Sequence, residues 1–266
     1  MPNALYPPLK PRSFADLLEA VIQLFRLSLL KCLPYATVAI VAAQLWMLYY
    51  LSHGQKPVLD GNDPVGVTLY GVGTLIGVIL SVTILLRQSA MAAGRPVTGS
   101  TCLLETLKRA PAIVAIALLG GAVLTMLMLP ALALAPAYRT AAAAVMMVPA
   151  IYVLIALSFS LPALVLARKG VLASLAYSFR LVRGNWWRVA FVYIVGAMII
   201  MTFVLLVAAV TTLAQADNGP DDAAITHAIT FAASLAVSAL GLTFWSALSL
   251  TLFGDLEVRR MTSRPD

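Results

Sequence analysis

Charged side chains are scarce in this 266-residue chain. Only 11% of the residues are Asp, Glu, Lys or Arg, whereas 61% are hydrophobic and the mean hydropathy is +0.94. A soluble core cannot cover that much apolar surface, so the composition predicts that a lipid bilayer solvates much of the chain. The formal charge of +7 then indicates contact with anionic lipid and control of orientation, and no nucleic acid is predicted as a partner.

Cysteine and histidine are nearly absent, with two residues of each. Cys32 and Cys102 fall at predicted cytoplasmic helix starts, where thiols stay reduced, so we expect no disulfide. His53 and His227 fall at the outer ends of different spans, each near aspartates. Isolated histidines in such places are more typical of loops and helix ends than of a metal site. No metal and no cofactor are predicted.

Sequence motifs for catalysis are also lacking. The chain has no Walker loop, no Gly-x-Ser-x-Gly, no His-Glu-x-x-His and no Cys-x-x-Cys. The central stretches of the apolar runs contain no Asp, Glu, Lys or Arg, although ion-coupled carriers usually keep an ionisable group there. The sequence therefore predicts a protein that is not an enzyme. It weakens a transport function without excluding one, because hydroxyls, Gln44 and the carbonyls of broken helices can line a path.

Six long apolar runs predict six transmembrane helices. Their approximate residues are 34–51, 65–86, 112–135, 140–167, 187–214 and 223–253. Pro149 and Pro162 predict kinks in the fourth span. Gly73 and Gly77 form a small-xxx-small pair in the second span, which we interpret as a packing contact between helices.

A short amphipathic segment precedes every second span. The three segments, at about residues 13–30, 101–109 and 171–183, carry narrow polar stripes that are typical of helices lying in the membrane interface. Lys31, Lys108 and Asn185 mark the point where each segment meets its span, 77 residues apart each time (31 to 108 and 108 to 185). The predicted fold is an all-α integral membrane protein with three weak repeats, each an in-plane helix plus a transmembrane hairpin.

These patterns also divide the chain into domains. One six-span membrane domain covers about residues 13–254, with repeat units at about 13–93, 94–169 and 170–254. A disordered cytoplasmic tail is predicted for residues 1–12, and a second cytoplasmic tail for residues 255–266. All but two of the 18 Lys and Arg residues, Lys56 and Arg139, lie on one side of this arrangement. The positive-inside rule places that side, with both termini, in the cytoplasm.

Basic and aromatic residues at the inner ends of the spans form the candidate functional surface. This basic belt consists of Arg26, Lys31, Lys108, Arg109, Arg180, Arg183, Trp186, Trp187 and Arg188. One interpretation is that these residues only set topology and anchor the protein at the interface. The other is that they bind anionic lipid headgroups or a partner membrane protein. The sequence leaves both interpretations open.

The densest part of the basic belt carries a family resemblance. It is the run Ser178-Phe179-Arg180-Leu181-Val182-Arg183-Gly184-Asn185-Trp186-Trp187-Arg188. In this run and in its six-span topology, the chain resembles the YciC-like family of bacterial inner-membrane proteins and the membrane domain attached to some glycerophosphodiester phosphodiesterases. The resemblance implies a multi-pass inner-membrane protein associated with the envelope or with lipid. It carries over no catalytic residue, because the phosphodiesterase domain is absent from the sequence.

Two functional hypotheses follow. The first is a non-enzymatic membrane protein that organises lipid or partner proteins through its in-plane helices. The alternative is a transporter or lipid-translocating protein with a path between the repeats. A membrane-embedded enzyme has little support, because the sequence shows no paired acid and base. Flux into proteoliposomes would favour the alternative, and a fixed partner that co-purifies in gentle detergent would favour the first.

Overall fold

Ten helices, and no strand, make up the part of the chain that the structure describes. The structure is a computed structural model, and it describes residues 6–8, 10–54, 63–133, 136–216 and 223–262. In chain order the helices are α1 (Phe14–Ala43), α2 (Leu45–Ser52), α3 (Pro64–Ala92), α4 (Gly99–Lys108), α5 (Ala110–Ala133), α6 (Pro136–Leu157), α7 (Ser160–Val165), α8 (Val171–Arg183), α9 (Trp186–Ala216) and α10 (Ala223–Thr262).

Six helical segments among the described residues are long and apolar enough to cross a membrane. They are Phe14–Ala43, Pro64–Ala92, Ala110–Pro130, Thr140–Val165, Trp186–Leu213 and Ile229–Thr262. For the described residues, the predictions of an all-helical fold and of six helices long and apolar enough to span a membrane are confirmed. These predictions could be made from the sequence because a spanning helix needs a continuous run of about 20 apolar residues, and such a run is visible locally.

The first helix differs from its prediction. The sequence predicts an in-plane helix at residues 13–30 that turns into a span at Lys31 and Pro34, but α1 continues through both residues to Ala43. Buried residues recur along α1 from Leu17 to Ala42, where it packs on α3 and α10. This packing stabilises one continuous helix even though Pro34 removes a backbone hydrogen bond. The predicted turn at Pro34 is therefore wrong.

The other two amphipathic segments form separate short helices. Helix α4 lies within two residues of its predicted bounds, and α8 has the predicted bounds. Each is followed within one or two residues by a long apolar helix, with Arg109 between α4 and α5, and Gly184 and Asn185 between α8 and α9. The in-plane orientation of these helices and the threefold repeat stay predictions, and the first unit has no separate short helix.

The fourth predicted span is interrupted between α6 and α7. Helix α6 ends at Leu157 and α7 begins at Ser160. Pro162, in the first turn of α7, has no N–H for the carbonyl of Ser158, and its ring crowds that carbonyl, so α6 cannot continue through Ser158 as a regular helix. The predicted distortion at Pro162 is confirmed, whereas Pro149 lies inside the uninterrupted helix α6.

The largest apolar cluster lies where α1, α8 and α9 meet the C-terminal half of α10. Its fully buried members include Leu17, Val21, Phe159, Val189, Leu248, Leu252 and Phe253. A polar contact lies beside it at Gln88 of α3, whose side chain is completely buried. Gln88 Nε2 donates to Ser28 Oγ of α1 at 3.1 Å and to the carbonyl of Thr243 of α10 at 3.0 Å. One amide therefore links three helices.

The two predicted tails are largely structured where the structure describes them. Tyr6 packs against the largest cluster, and the rings of Tyr6 and Pro8 lie against Gly254 of α10. Helix α10 continues to Thr262, through most of the predicted second tail. Residues 1–5, 9 and 263–266 of these tails lie outside the described residues. The division into a membrane domain and two cytoplasmic tails stays a prediction.

Candidate functional site

The nine residues of the basic belt separate into exposed and partly buried side chains. The exposed ones are Arg26, Lys31, Lys108, Arg180, Arg183 and Trp187. The partly buried ones are Arg109, Trp186 and Arg188. The exposed group is available to lipid or to a partner, whereas each of the three others is held by neighbouring residues.

Arg109 connects the turn after α4 to the end of α7. Its Nη1 donates to the carbonyl of Val165 at 2.6 Å, and its Nη2 donates to Glu105 Oε1 at 2.9 Å. The guanidinium thus satisfies a carbonyl at the end of a short helix. Arg109 therefore contributes to the structure, a role that its position next to a predicted span did not indicate.

Arg188 belongs to a buried ionic cluster around Asp255, whose side chain is inaccessible to solvent. Asp255 Oδ2 lies 3.2 Å from Arg188 Nη2 and 2.9 Å from Arg259 Nε, and the backbone N–H of Arg12 donates to Asp255 Oδ1 at 2.7 Å. Both arginines also donate to the carbonyl of Arg12, at 2.8 and 2.7 Å. We call Arg12, Arg188, Asp255 and Arg259 the Asp255 cluster. A carboxylate this buried is stable only with such partners.

Sequence reasoning missed the Asp255 cluster. The sequence placed Asp255 in a cytoplasmic tail and Arg188 in the basic belt, as a residue that sets topology or contacts lipid headgroups or a partner. A signal was present, because Asp255 follows a long apolar run and has Arg259 four residues later on the same helix. The partners at residues 12 and 188 could not be found in this way, because they are distant in sequence and are brought together only by helix packing.

Four members of the basic belt line one cavity of about 770 Å³ between α6 and the junction of α8 and α9. We call it the α8–α9 cavity. It is lined by Val148, Ile151, Tyr152, Arg183, Gly184, Asn185, Trp186, Trp187 and Arg188. The ring of Trp186 stacks on Tyr152 at 5.6 Å and meets Trp187 edge-on at 4.8 Å. The cavity therefore combines an aromatic wall with cationic residues.

Arg183 and Trp187 are the most exposed side chains of the basic belt in this cavity. Trp187 is 81% exposed, and Arg183 is exposed with no hydrogen bond or ion pair to another described residue. None of the residues lining the cavity is acidic. An anion that entered the cavity would meet an unpaired guanidinium beside an indole, the two side chains that are most typical of the membrane interface.

The remaining belt residues lie on other helices. Arg26 lies at an apolar groove of about 400 Å³ between α1, α9 and α10, where it is the one charged lining residue. Lys31 follows on α1 and Lys108 ends α4. The structure thus groups belt residues of α8 and α9, the part that is densest in the sequence. The belt residues of α1 and α4 do not line the same cavity.

Helix α8 is fixed to its neighbours at two further points. Ser178 is fully buried at the break between α6 and α7, where its Oγ donates to the carbonyl of Ala156 at 2.6 Å and accepts from the N–H of Phe159 at 3.1 Å. Tyr177 Oη donates to Glu257 Oε1 of α10 at 2.9 Å. Burial and this carboxylate raise the pKa of Tyr177 to about 12. These contacts hold the α8–α9 cavity in place.

In the stretches that the structure describes, no three His, Cys, Asp or Glu side chains are grouped as a metal site would require. Cys32 and Cys102 are both buried free thiols. No protein-family model, curated protein or solved structure matches this chain. Its function is therefore inferred from its own residues.

Proposed function

We propose that the protein is a non-enzymatic membrane protein that binds anionic lipid headgroups in its α8–α9 cavity, at the cytoplasmic face of a bacterial inner membrane. The observation that carries the proposal is the presence of an unpaired Arg183 and an exposed Trp187 in one cavity at the start of a span. A guanidinium binds phosphate through two parallel hydrogen bonds, and an indole favours the boundary between headgroups and acyl chains.

Charge balance favours Arg183 as the contact residue over Arg188. Arg188 forms an ion pair with Asp255, and Arg259 contacts the same carboxylate. Arg183 has no such partner among the described residues, so a phosphate would supply the missing counter-charge. The cavity volume of about 770 Å³ lies within the range of small-molecule sites. The resemblance of residues 178–188 to the YciC-like family supports the same membrane and an association with lipid.

The test is a double variant of α8: Arg183→Gln in the cavity, with Arg180→Gln one helical turn earlier, an exposed belt residue outside the cavity lining. Each basic residue near an anionic surface contributes about 1 kcal/mol, so the pair should weaken binding of phosphatidylglycerol by about thirtyfold at low salt. The difference should shrink as salt is added, because screening weakens the contribution of the arginines in the parent protein. Native mass spectrometry of delipidated protein, titrated with phosphatidylglycerol, measures the effect.

The control is Arg95→Gln with Arg168→Gln, which removes two exposed cations outside the cavity. It should leave phosphatidylglycerol binding near the parent value. Arg188 stays unchanged in both variants, because its loss would disrupt the Asp255 cluster and confuse binding with stability. Equal binding by the parent and the Arg180→Gln, Arg183→Gln variant would show that these two arginines only set orientation.

A transport function is the second candidate, and the break between α6 and α7 is the observation that favours it. Membrane-embedded helix breaks are tolerated where the backbone is covered by protein or lines a path. Substrate-dependent flux in proteoliposomes would support transport. A membrane protein partner that co-purifies in gentle detergent, and that the double variant no longer retains, would assign the α8–α9 cavity to a protein contact instead.

A further inference from the structure

A second cavity, of about 190 Å³, lies between α3, the break after α6, and α10. Four hydroxyl groups from these elements line it, so we call it the serine cavity: Ser81, Ser158, Ser246 and Ser249. The rest of the lining is apolar and consists of Val82, Leu85, Leu161, Pro162, Leu242 and Trp245. Four hydroxyls that converge in an otherwise apolar wall are typical of a site that orients a small ligand.

The hydroxyls of this cavity have unused hydrogen-bonding capacity. Ser81 Oγ donates to the carbonyl of Gly77 at 2.7 Å, and Ser158 Oγ donates to the carbonyl of Ile155 at 2.8 Å. Ser81 can still accept a hydrogen bond from a ligand, whereas Ser158 and Ser249 also contact the hydroxyl of Tyr193 on α9. Ser246 is only 8% exposed, and its buried Oγ has no hydrogen-bond partner among the described residues. Such a buried hydroxyl destabilises the fold unless something else binds it.

The break between α6 and α7 does not form a cation site. The carbonyls of Ile155, Ala156 and Leu157 already accept from the hydroxyls of Ser158, Ser178 and Ser160, respectively. No lining residue of the serine cavity carries a charge. A charged ligand would therefore lose its hydration without gaining a counter-charge, which is costly inside a membrane protein. The chemistry of the cavity favours an uncharged ligand.

We propose that the serine cavity binds an uncharged molecule that carries two or more hydroxyl or ester oxygens. Its volume corresponds to about six water molecules at roughly 30 Å³ each, which suits a group of about six heavy atoms such as a three-carbon polyol. Trp245 lines the cavity, is 37% exposed and stacks on Tyr193 at 4.9 Å. It connects the cavity with the outer surface of the bundle. The proposal is independent of the anionic-lipid site.

This ligand chemistry has two sources, a free polyol or the glycerol unit of an uncharged lipid. The test titrates the purified full-length protein with glycerol or with 1,2-dioctanoylglycerol and records tryptophan fluorescence. The variant Trp245→Phe identifies the part of the fluorescence change that comes from Trp245. The variant Ser246→Ala should bind about tenfold more weakly, the effect of losing about one hydrogen bond. Ser249→Ala serves as a second cavity variant.

The matched control is Ser234→Ala on the same helix. Ser234 is exposed, and its hydroxyl donates to the carbonyl of Phe231 at 2.8 Å, away from the cavity. It should leave both affinities unchanged. The Arg180→Gln, Arg183→Gln variant should also bind these two probes like the parent. The anionic-lipid proposal and the serine-cavity proposal can therefore fail independently of each other.

Binding of glycerol assigns a soluble ligand, and binding of dioctanoylglycerol alone assigns a lipid. Either result, when weakened by Ser246→Ala or by Ser249→Ala, supports the proposal. Absence of binding by both probes would overturn it. Unchanged affinity in both well-folded cavity variants, or displacement of the probe by phosphatidylglycerol at equal concentration, would overturn it as well.

Discussion

Asp255 is the residue at which the N-terminal segment, α9 and α10 meet. Replacement of Asp255 with Ala would leave Arg188 and Arg259 close together without their carboxylate. We expect the free energy of unfolding to fall by about 3 kcal/mol, the lower end for a broken buried ion pair. The lower end applies because the two arginine side chains are 26% and 30% exposed. Denaturant-induced unfolding in a mild detergent measures the change.

Glu105→Ala is the control for this prediction. Glu105 pairs with Arg109 four residues later on a helix, and its side chain is 43% exposed. Exposed pairs of this kind contribute less than about 1 kcal/mol. If Asp255→Ala and Glu105→Ala destabilised the protein equally, the Asp255 cluster would not have the structural importance that its burial indicates.

The two glycines of the small-xxx-small pair should respond in opposite ways to alanine. A Cβ added at Gly73 would collide with the backbone carbonyl of Ala42 on α1, whereas one added at Gly77 would lie 3.7 Å from the carbonyl oxygen of Ala39. Gly73→Ala should therefore cost about 2 kcal/mol through overpacking. Gly77→Ala should be neutral or stabilise α3 by up to about 1 kcal/mol. Thermal unfolding of both variants tests the contact, and equal effects would contradict it.

At the scale of elements, α8 stabilises the interrupted span through Ser178. Ser178→Ala would leave the carbonyl of Ala156 and the N–H of Phe159 buried without this partner, at a cost of about 2 kcal/mol. Ser174 is an equally buried serine on the same helix, but its hydroxyl makes only a 3.4 Å contact with the carbonyl of Lys169. Ser174→Ala should therefore cost less than half as much in thermal unfolding. Faster hydrogen exchange at the Phe159 amide in Ser178→Ala alone would locate the effect at the break.

The elements also show what can be predicted from local sequence. The bounds of α8 were predictable because Gly170 and Gly184 flank an amphipathic run. A distortion near the end of α6 was predictable because Pro162 follows it. Helix α1 was predicted as two pieces, since Lys31 and Pro34 resemble a boundary. Its continuity depends on contacts with α3 and α10 along its length, which no local pattern contains.

Similar limits apply to the candidate site. Exposure of Arg183 and Trp187 agrees with the surface that the sequence predicted. The sequence could not distinguish Arg183 from Arg188, because both are arginines at a span boundary. Their roles differ because the buried Asp255 lies beside only one of them. The serine cavity was equally hidden, because its hydroxyls come from three separate parts of the chain.

At the scale of the whole molecule, contacts between the two ends of the helical bundle show which helix ends lie on the same side. The backbone of Arg12 and the side chain of Arg259 are in contact at 2.7 Å, so the start of α1 and the end of α10 lie on the same side. The distribution of Lys and Arg predicts that this side is cytoplasmic. Reporter fusions at Asp60 and Asp221 should read periplasmic, and fusions after Arg95 and Arg264 cytoplasmic. A cytoplasmic signal at Asp221 would contradict the arrangement of the last two spans.

The distance along the chain between Arg12 and Asp255, 243 residues, determines when assembly can finish. At a translation rate of roughly 5 to 20 residues per second, Arg12 is made about 12 to 49 seconds before Asp255. Gln88 is likewise made 155 residues before Thr243, whose carbonyl it binds. Until α10 is made, the nascent chain lacks both the carbonyl that Gln88 binds and the carboxylate that Arg188 contacts.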